Sequence, residues 1–176
     1  MMLRRALLAA SAPAFTVPAW AQLRVPPTWY AVQADGNAFT VEMPGVPDHR
    51  VVHDVSARGT AFLLHSYSLE AGGYSYVAQT ALYPNDVDTT QPRGLLQAAL
   101  DSRAQALEGR KWTEVEWREI LAGAAAESVG TVRGGNGLRQ MVLLKERRFV
   151  SLAFLGPAGS VVGPEAERFF KSLKMA

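Results

Sequence analysis

From residue 28 onward, apolar and polar residues alternate in short runs more often than they recur at helical spacing, and Gly, Pro, Asn and Asp divide the runs. Trp29 to Ala34 and Ala38 to Met43 read as strands separated by the turn Asp35-Gly36-Asn37, with Phe39, Val41 and Met43 on one face of the second. The run RVVHDVSA reads as another strand, because adjacent valines are stiff at the first side-chain torsion and suit a pleated surface. TAFLLHSYSLE and YSYVAQTALY flank Ala71-Gly72-Gly73 and predict a hairpin. Direct pairing sets Tyr67 beside Tyr76 and His65 beside Ala78; a slip of two residues changes the partners and keeps the faces. One face carries Leu63, His65, Tyr67, Leu69, Tyr74 and Tyr76, and the other Phe62, Leu64, Val77 and Ala81.

From Pro92 to Glu108 the period becomes helical. Leu96, Leu100, Arg103 and Leu107 share a stripe, Pro92 sits in the first turn, and Gly109 supplies a left-handed stop. Arg103 is expected to run its aliphatic stem along the edge of the core and keep its charge in water. Strand-like runs follow in KWTEVEWREIL, AESVGTVRG and GLRQMVLL, the last continuing through a charged turn at Lys145 to Arg148 into RRFVSLAFLG. GGNG before Leu138 is a hairpin signal. The final hairpin is apolar on both faces, with Met141, Leu143, Val150, Leu152 and Phe154 on one and Val142, Leu144, Phe149 and Ala153 on the other, so it belongs in the middle of a sheet covered on both sides. GPEAERFFKSLKMA predicts a closing helix begun by Pro164 and buried through Phe169, Phe170 and Leu173. The fold class expected is α+β, a largely antiparallel sheet flanked by helices.

The first residues change the picture of where this domain works. MMLRRALLAASAPAFTVPAWAQ has Arg4 and Arg5, an apolar stretch, and Ala19-Trp20-Ala21 as a small-x-small cleavage site, which predicts a signal peptide over 1–21 and a single mature domain over 22–176. The apolar stretch is shorter than the roughly 20 residues that a membrane span needs and is broken by Pro13 and Pro18. The adjacent arginines leave both the general secretory and the twin-arginine routes open. Cleavage removes two of the 18 Lys and Arg residues, leaving sixteen against 16 Asp and Glu, so the mature chain has no excess charge to attract nucleic acid or anionic lipid. With no cysteine there is no disulfide, thiolate site, cysteine nucleophile or lipid-modified cysteine anchor. A chain of about 155 residues is long enough to be held together by its core alone.

The strand and turn around Phe39, Val41, Pro44, Gly45 and Pro47, the hairpin with Arg139, Leu144, Arg148, Leu152 and Gly156, and the closing Ala166, Phe169, Phe170, Ser172 and Leu173 together resemble the superfamily of the photosystem II extrinsic protein PsbP and the Ran-binding Mog proteins. The nearer likeness is to its exported bacterial members of unknown function. The resemblance implies a three-layer α/β/α sandwich used as a binding or accessory module without catalysis. It carries over no functional residue, because the matching positions are core and turn positions. Pro44 to Pro47 then reads as a corner: Pro44 ends a strand, Gly45 relaxes the backbone and Pro47 fixes the exit.

Candidate chemistry is sparse. His49 and His53 form the one local metal pair, but on a strand they stand about 13 Å apart. No Gly-x-Ser-x-Gly nucleophile turn occurs, and VRGGNGLR lacks the Lys and the following helix of a phosphate loop. Glu114 and Glu116 alternate on a strand as solvated carboxylates do. The constellation most suited to binding is His65, Tyr67, Tyr74 and Tyr76, since tyrosines offer large contact area with a polar tip; the commoner outcome is that such a face is covered. The expectation is a noncatalytic periplasmic binding or accessory protein that needs no cofactor and recognises an envelope protein or small ligand, without a membrane anchor. The alternatives are an envelope hydrolase using His65 and a metal-binding protein using His49 and His53. Mass measurement of the protein secreted by an export-competent host should give a polypeptide starting at Gln22; an intact Met1 would contradict the leader.

Overall fold

The computed structural model describes residues 28–107, 112 and 114–176. The leader and its cleavage site, the Pro-rich approach to the first strand and the Gly109 stop lie outside them. Ten strands and two helices are described: β1 (Tyr30–Gln33), β2 (Phe39–Met43), β3 (Asp48–Val55), β4 (Ala61–Ala71), β5 (Tyr74–Leu82), α1 (Pro92–Ala106), β6 (Glu116–Ile120), β7 (Gly123–Thr131), β8 (Asn136–Lys145), β9 (Arg148–Pro157), α2 (Pro164–Lys171) and β10 (Lys174–Met175). β3 to β9 form one antiparallel sheet in the order β3-β4-β5-β9-β8-β7-β6, and β1, β2 and β10 form a small second sheet. β9 is the middle strand of seven, as its sequence requires, with Val150, Leu152 and Phe154 buried on one side and Phe149, Ser151 and Ala153 on the other.

Three local expectations need correction. In the β4–β5 hairpin the loop is Gly72-Gly73, both at positive φ, so Ala71 faces Tyr74 and Tyr67 faces Ala78, not Tyr76. Two successive left-handed residues suit a two-residue turn between twisted strands, and glycine takes that conformation without a Cβ clash. The faces are unchanged by this slip of two. The second correction is at Trp112, which lies outside a strand, and the strand in its run starts at Glu116. Its backbone N–H donates to Asp101 Oδ1 (3.0 Å) and its indole Nε1–H to the Leu100 carbonyl (3.1 Å), which ties it to α1. Third, α2 stops at Lys171, and Lys174 and Met175 return as a strand on Thr40 and Phe39 of β2. The Ser172 hydroxyl makes that reversal: its Oγ accepts from the Glu42 N–H and donates to the Phe169 carbonyl, 2.8 Å each.

Pro44 to Pro47 is the corner at which the chain leaves the small sheet and enters edge strand β3 of the large one. A Cβ on Gly45 would come 3.2 Å from Leu69 Cδ2, so the corner lies against the core. The middle of the large sheet is covered on both faces. α1 lies over β7 and β8 through Leu96 and Leu100. The opposite face is covered by β1, β2 and β10 together with α2, so this layer is part sheet and part helix.

α2 holds by burial and by charge. Phe169, Phe170 and Leu173 are all buried, with the Phe169 ring edge-on to Tyr76 at 5.5 Å. Arg139 on β8 pairs with Glu127 of β7 and with Glu167 of α2, and its guanidinium lies 4.5 Å from the centre of the Phe170 ring. Lys171 adds a second cation to Glu167 at 2.8 Å.

Two outcomes follow. Phe169→Ala should lower unfolding free energy by about 3–5 kcal/mol in urea titrations, the range for a buried aromatic; a change below about 1 kcal/mol would mean that α2 does not close the core. Lys171 and then Arg139 hold the Glu167 carboxyl down at about 2, against an ordinary 4.5. A depressed carboxyl stabilises the fold above its unfolded value and loses that contribution as pH falls. Between pH 4.5 and 2 the parent should therefore lose stability more steeply than Glu167→Gln. Parallel melting curves against pH for the two proteins would contradict this.

Candidate functional site

Seven strands about 4.8 Å apart make a face roughly 29 Å wide, whereas a helix with its side chains is only about 10–12 Å across. α1 rests on β7 and β8, so it cannot also cover β4 and β5. The gap on that side is a cavity of about 420 Å³ between α1 and the sheet. Strand alternation sends Phe62 and Leu64 of β4, Gln79 and Ala81 of β5, Phe149 and Ser151 of β9 and Gln140 of β8 to this one face. The helix contributes Ala99, Ser102, Arg103 and Ala106, at offsets of three and four along a stripe beside its core-facing leucines. Small residues at three of these four positions keep the space open.

The mouth is fixed by the chain around it. Asp86, in the loop leading to α1, accepts from Ser56 Oγ (2.6 Å) and Thr60 Oγ1 (2.8 Å) at the β3–β4 turn. That pins the end of the sheet carrying Asp54 and Phe62. Tyr83 packs its ring on Phe62 and Phe149 at 5.6 and 5.7 Å, and burial, followed by the nearby Asp54, raises its phenol pKa. Asp54 itself is exposed at the rim.

Arg103 departs from expectation. Its guanidinium turns toward the sheet and donates from Nη2 to Gln79 Oε1, while Gln79 Nε2 donates to Ser66 Oγ at 3.2 Å. Among the described residues no carboxylate pairs with it, and burial alone lowers its pKa. An arginine still stays charged at any ordinary pH, so the cavity wall holds a poorly solvated cation with one neutral partner. Beside it, Gln140 is 1% exposed. Its Nε2 reaches the Ala99 carbonyl at 3.5 Å, and its Oε1 is buried with no hydrogen-bond partner among the described residues. The wall is polar at Gln79, Ser102, Arg103 and Ser151 and apolar at Phe62, Leu64, Ala81 and Phe149, and a concave wall that brings polar groups together is a common form of small-molecule site.

The residues singled out from the sequence lie on the opposite face. Tyr67 and Tyr76 are 6% and 1% exposed, beneath the small sheet and α2. Tyr67 accepts the Asp35 N–H at 2.8 Å, and burial first, then Glu165 and Tyr74, push the Tyr76 phenol up to about 12. Tyr74 packs on Phe154 at 5.2 Å. Tyr67 and Tyr76 are core, whereas Tyr74 and His65 are half-buried. His65 sits at the margin of the core, with Nδ1 3.3 Å from His49 Nε2 and Nε2 3.8 Å from Asp35 Oδ2. The His49 ring stacks on Tyr67 at 4.5 Å. No serine hydrogen-bonds His65 among the described residues. His49 and His53 lie four apart on the extended β3, and the histidine brought to His49 is His65. Among the described residues no group of three or more His, Asp or Glu side chains is placed to hold a metal ion, and no helix is long and apolar enough to cross a membrane.

The signal for the cavity was present in the sequence as an arginine among the leucines of α1 and as Gln79, Gln140 and Ser151 at inward positions of otherwise apolar strands. No protein-family model and no curated protein matches the chain. Among solved structures it is similar to cyanobacterial PsbP (CyanoP) from Synechocystis sp. PCC 6803, with TM-score 0.57 and 8% identity over 95% of this chain and 98% of that one. The fold is PsbP-like.

Proposed function

We propose that this protein is a noncatalytic, exported binding module that holds a small ligand in the cavity between α1 and the sheet. Its architecture is best grouped with the three-layer sandwiches of the PsbP and Mog superfamily, with the small sheet sharing one outer layer with α2. The observation that carries the reading is Arg103, a half-buried cation on the cavity wall with no counter-ion among the described residues. Partial desolvation of an unpaired charge is unfavourable, and an anionic occupant offsets it. Catalysis finds less support: the rings of His65 and His49 are engaged with each other, Asp35 and Tyr67. Export to the periplasm rests on the leader.

Native mass spectrometry of the protein isolated gently from its own cells should show an additional bound small molecule. Ala99→Phe, which fills the cavity wall, should lose it while keeping a cooperative melt. A mass equal to the polypeptide alone, in parent and variant alike, would contradict the proposal.

A further inference from the structure

β3 is one edge of the seven-stranded sheet, and among the described residues it pairs with β4 alone. All eight of its residues are exposed, so its outer row of backbone N–H and C=O groups has no partner strand there. Sheet edges are usually made unfit for further pairing by being short, by a bulge or by proline. The other edge, β6, has five residues, three of them charged. β3 is longer and more regular. Its register with β4 runs unbroken from Asp48 to Val55, and it contains no proline, no glycine and no residue at positive φ. Val51, Val52 and Val55 stand 44%, 48% and 62% exposed on it. Such an edge is a template for another strand, and the placement of its charges decides which strand fits.

When two copies of a chain continue one sheet across a two-fold axis, their edge strands run antiparallel and the rotation keeps each side chain on its own face. Residues that face each other across the ladder point to the same side, so the pairing is centred on one residue facing itself. The two centres that keep nearly all of β3 paired are Val51 and Val52. Centring on Val51 sets Asp48 against Asp54, twice by symmetry. Centring on Val52 sets Arg50 against Asp54 twice, with Val52 against itself between the two pairs. Opposite charges across a ladder stabilise it and like charges weaken it. Both groups are available. Arg50 is exposed and makes no hydrogen bond or ion pair among the described residues. Asp54 uses Oδ1 to accept the adjacent Val55 N–H at 2.8 Å, which leaves Oδ2. Within one chain the two residues stand about 13 Å apart along the strand, too far to pair.

We infer that the protein forms a two-fold dimer in which β3 of one protomer pairs antiparallel with β3 of its partner, centred on Val52. The two large sheets then continue as one, Arg50 of each protomer meets Asp54 of the other, and the edge valines are covered.

The test is sedimentation equilibrium of the full mature chain near neutral pH and at physiological ionic strength, over micromolar to submillimolar concentrations. The parent should be a dimer. Arg50→Glu sets Glu against Asp54 and Asp54→Lys sets Lys against Arg50, each twice per dimer, so each variant alone should dimerise at least about tenfold more weakly. In an equal mixture of the two variants both contacts regain opposite charges, and a dimer with one chain of each should form nearly as tightly as the parent. Both sites are exposed, so both variants should keep the parent's cooperative melt. Val52→Lys, which sets two ammonium groups face to face at the centre, gives an independent check and should also weaken the dimer. A parent that is monomeric throughout overturns the inference, as does a dimer that all three substitutions leave intact. An Asp54→Lys dimer tighter than the parent would place the centre on Val51, and absence of rescue on mixing would break the Arg50–Asp54 pairing; either overturns the arrangement stated.

Discussion

A hairpin apolar on both faces cannot lie at the surface of a protein, and β8–β9 is such a hairpin. It must be covered above and below, and the other elements are arranged to do so. β5 and β7 flank it, α1 caps one side, and the small sheet with α2 caps the other. The two coverings are unequal. On the α2 side two elements share the work, and aromatic rings from Tyr76, Phe154 and Phe169 meet edge to face. On the α1 side one helix of 15 residues faces a sheet wider than itself. The cavity is the remainder of that mismatch.

The two arginines nearest the core show how differently the sides are finished. Arg139 is 12% exposed and meets Glu127 and Glu167, so its charge is matched by two carboxylates and clamps α2 to β7 and β8. Arg103, on the other side, meets only the amide of Gln79 among the described residues. Among the described residues the chain thus matches one inward cation with two carboxylates and gives the other a neutral partner. The contrast favours a site over a packing defect.

Much of the fold was legible because its signals are local. Alternation placed the strands, two-faced hydrophobicity placed β9 at the centre, and the Phe169-Phe170-Leu173 stripe announced a buried closing helix. Errors came where a residue's fate depends on what tertiary packing brings near it. The β4–β5 register turned on which two residues of Ala71-Gly72-Gly73 take positive φ. Trp112 was drawn out of its strand by Asp101 and Leu100 on a helix eleven or twelve residues away. The tyrosine face looked like a binding surface because a sequence does not show that β1, β2 and α2 will lie over it. Arg103 was assigned to solvent because long charged side chains at a helix edge usually snorkel; the width of the sheet relative to α1, which turned it inward, is a property of the assembled fold.

The central claim is that the Arg103 guanidinium faces the cavity and not the solvent. Nitrogen-15 NMR of the labelled protein measures this directly through hydrogen exchange at the Arg103 Nε–H. The arrangement described predicts a resolved, slowly exchanging signal that shifts when the Gln79 amide is replaced in Gln79→Leu. An Arg103 signal exchanging as fast as that of the exposed Arg58, and indifferent to Gln79, would contradict it.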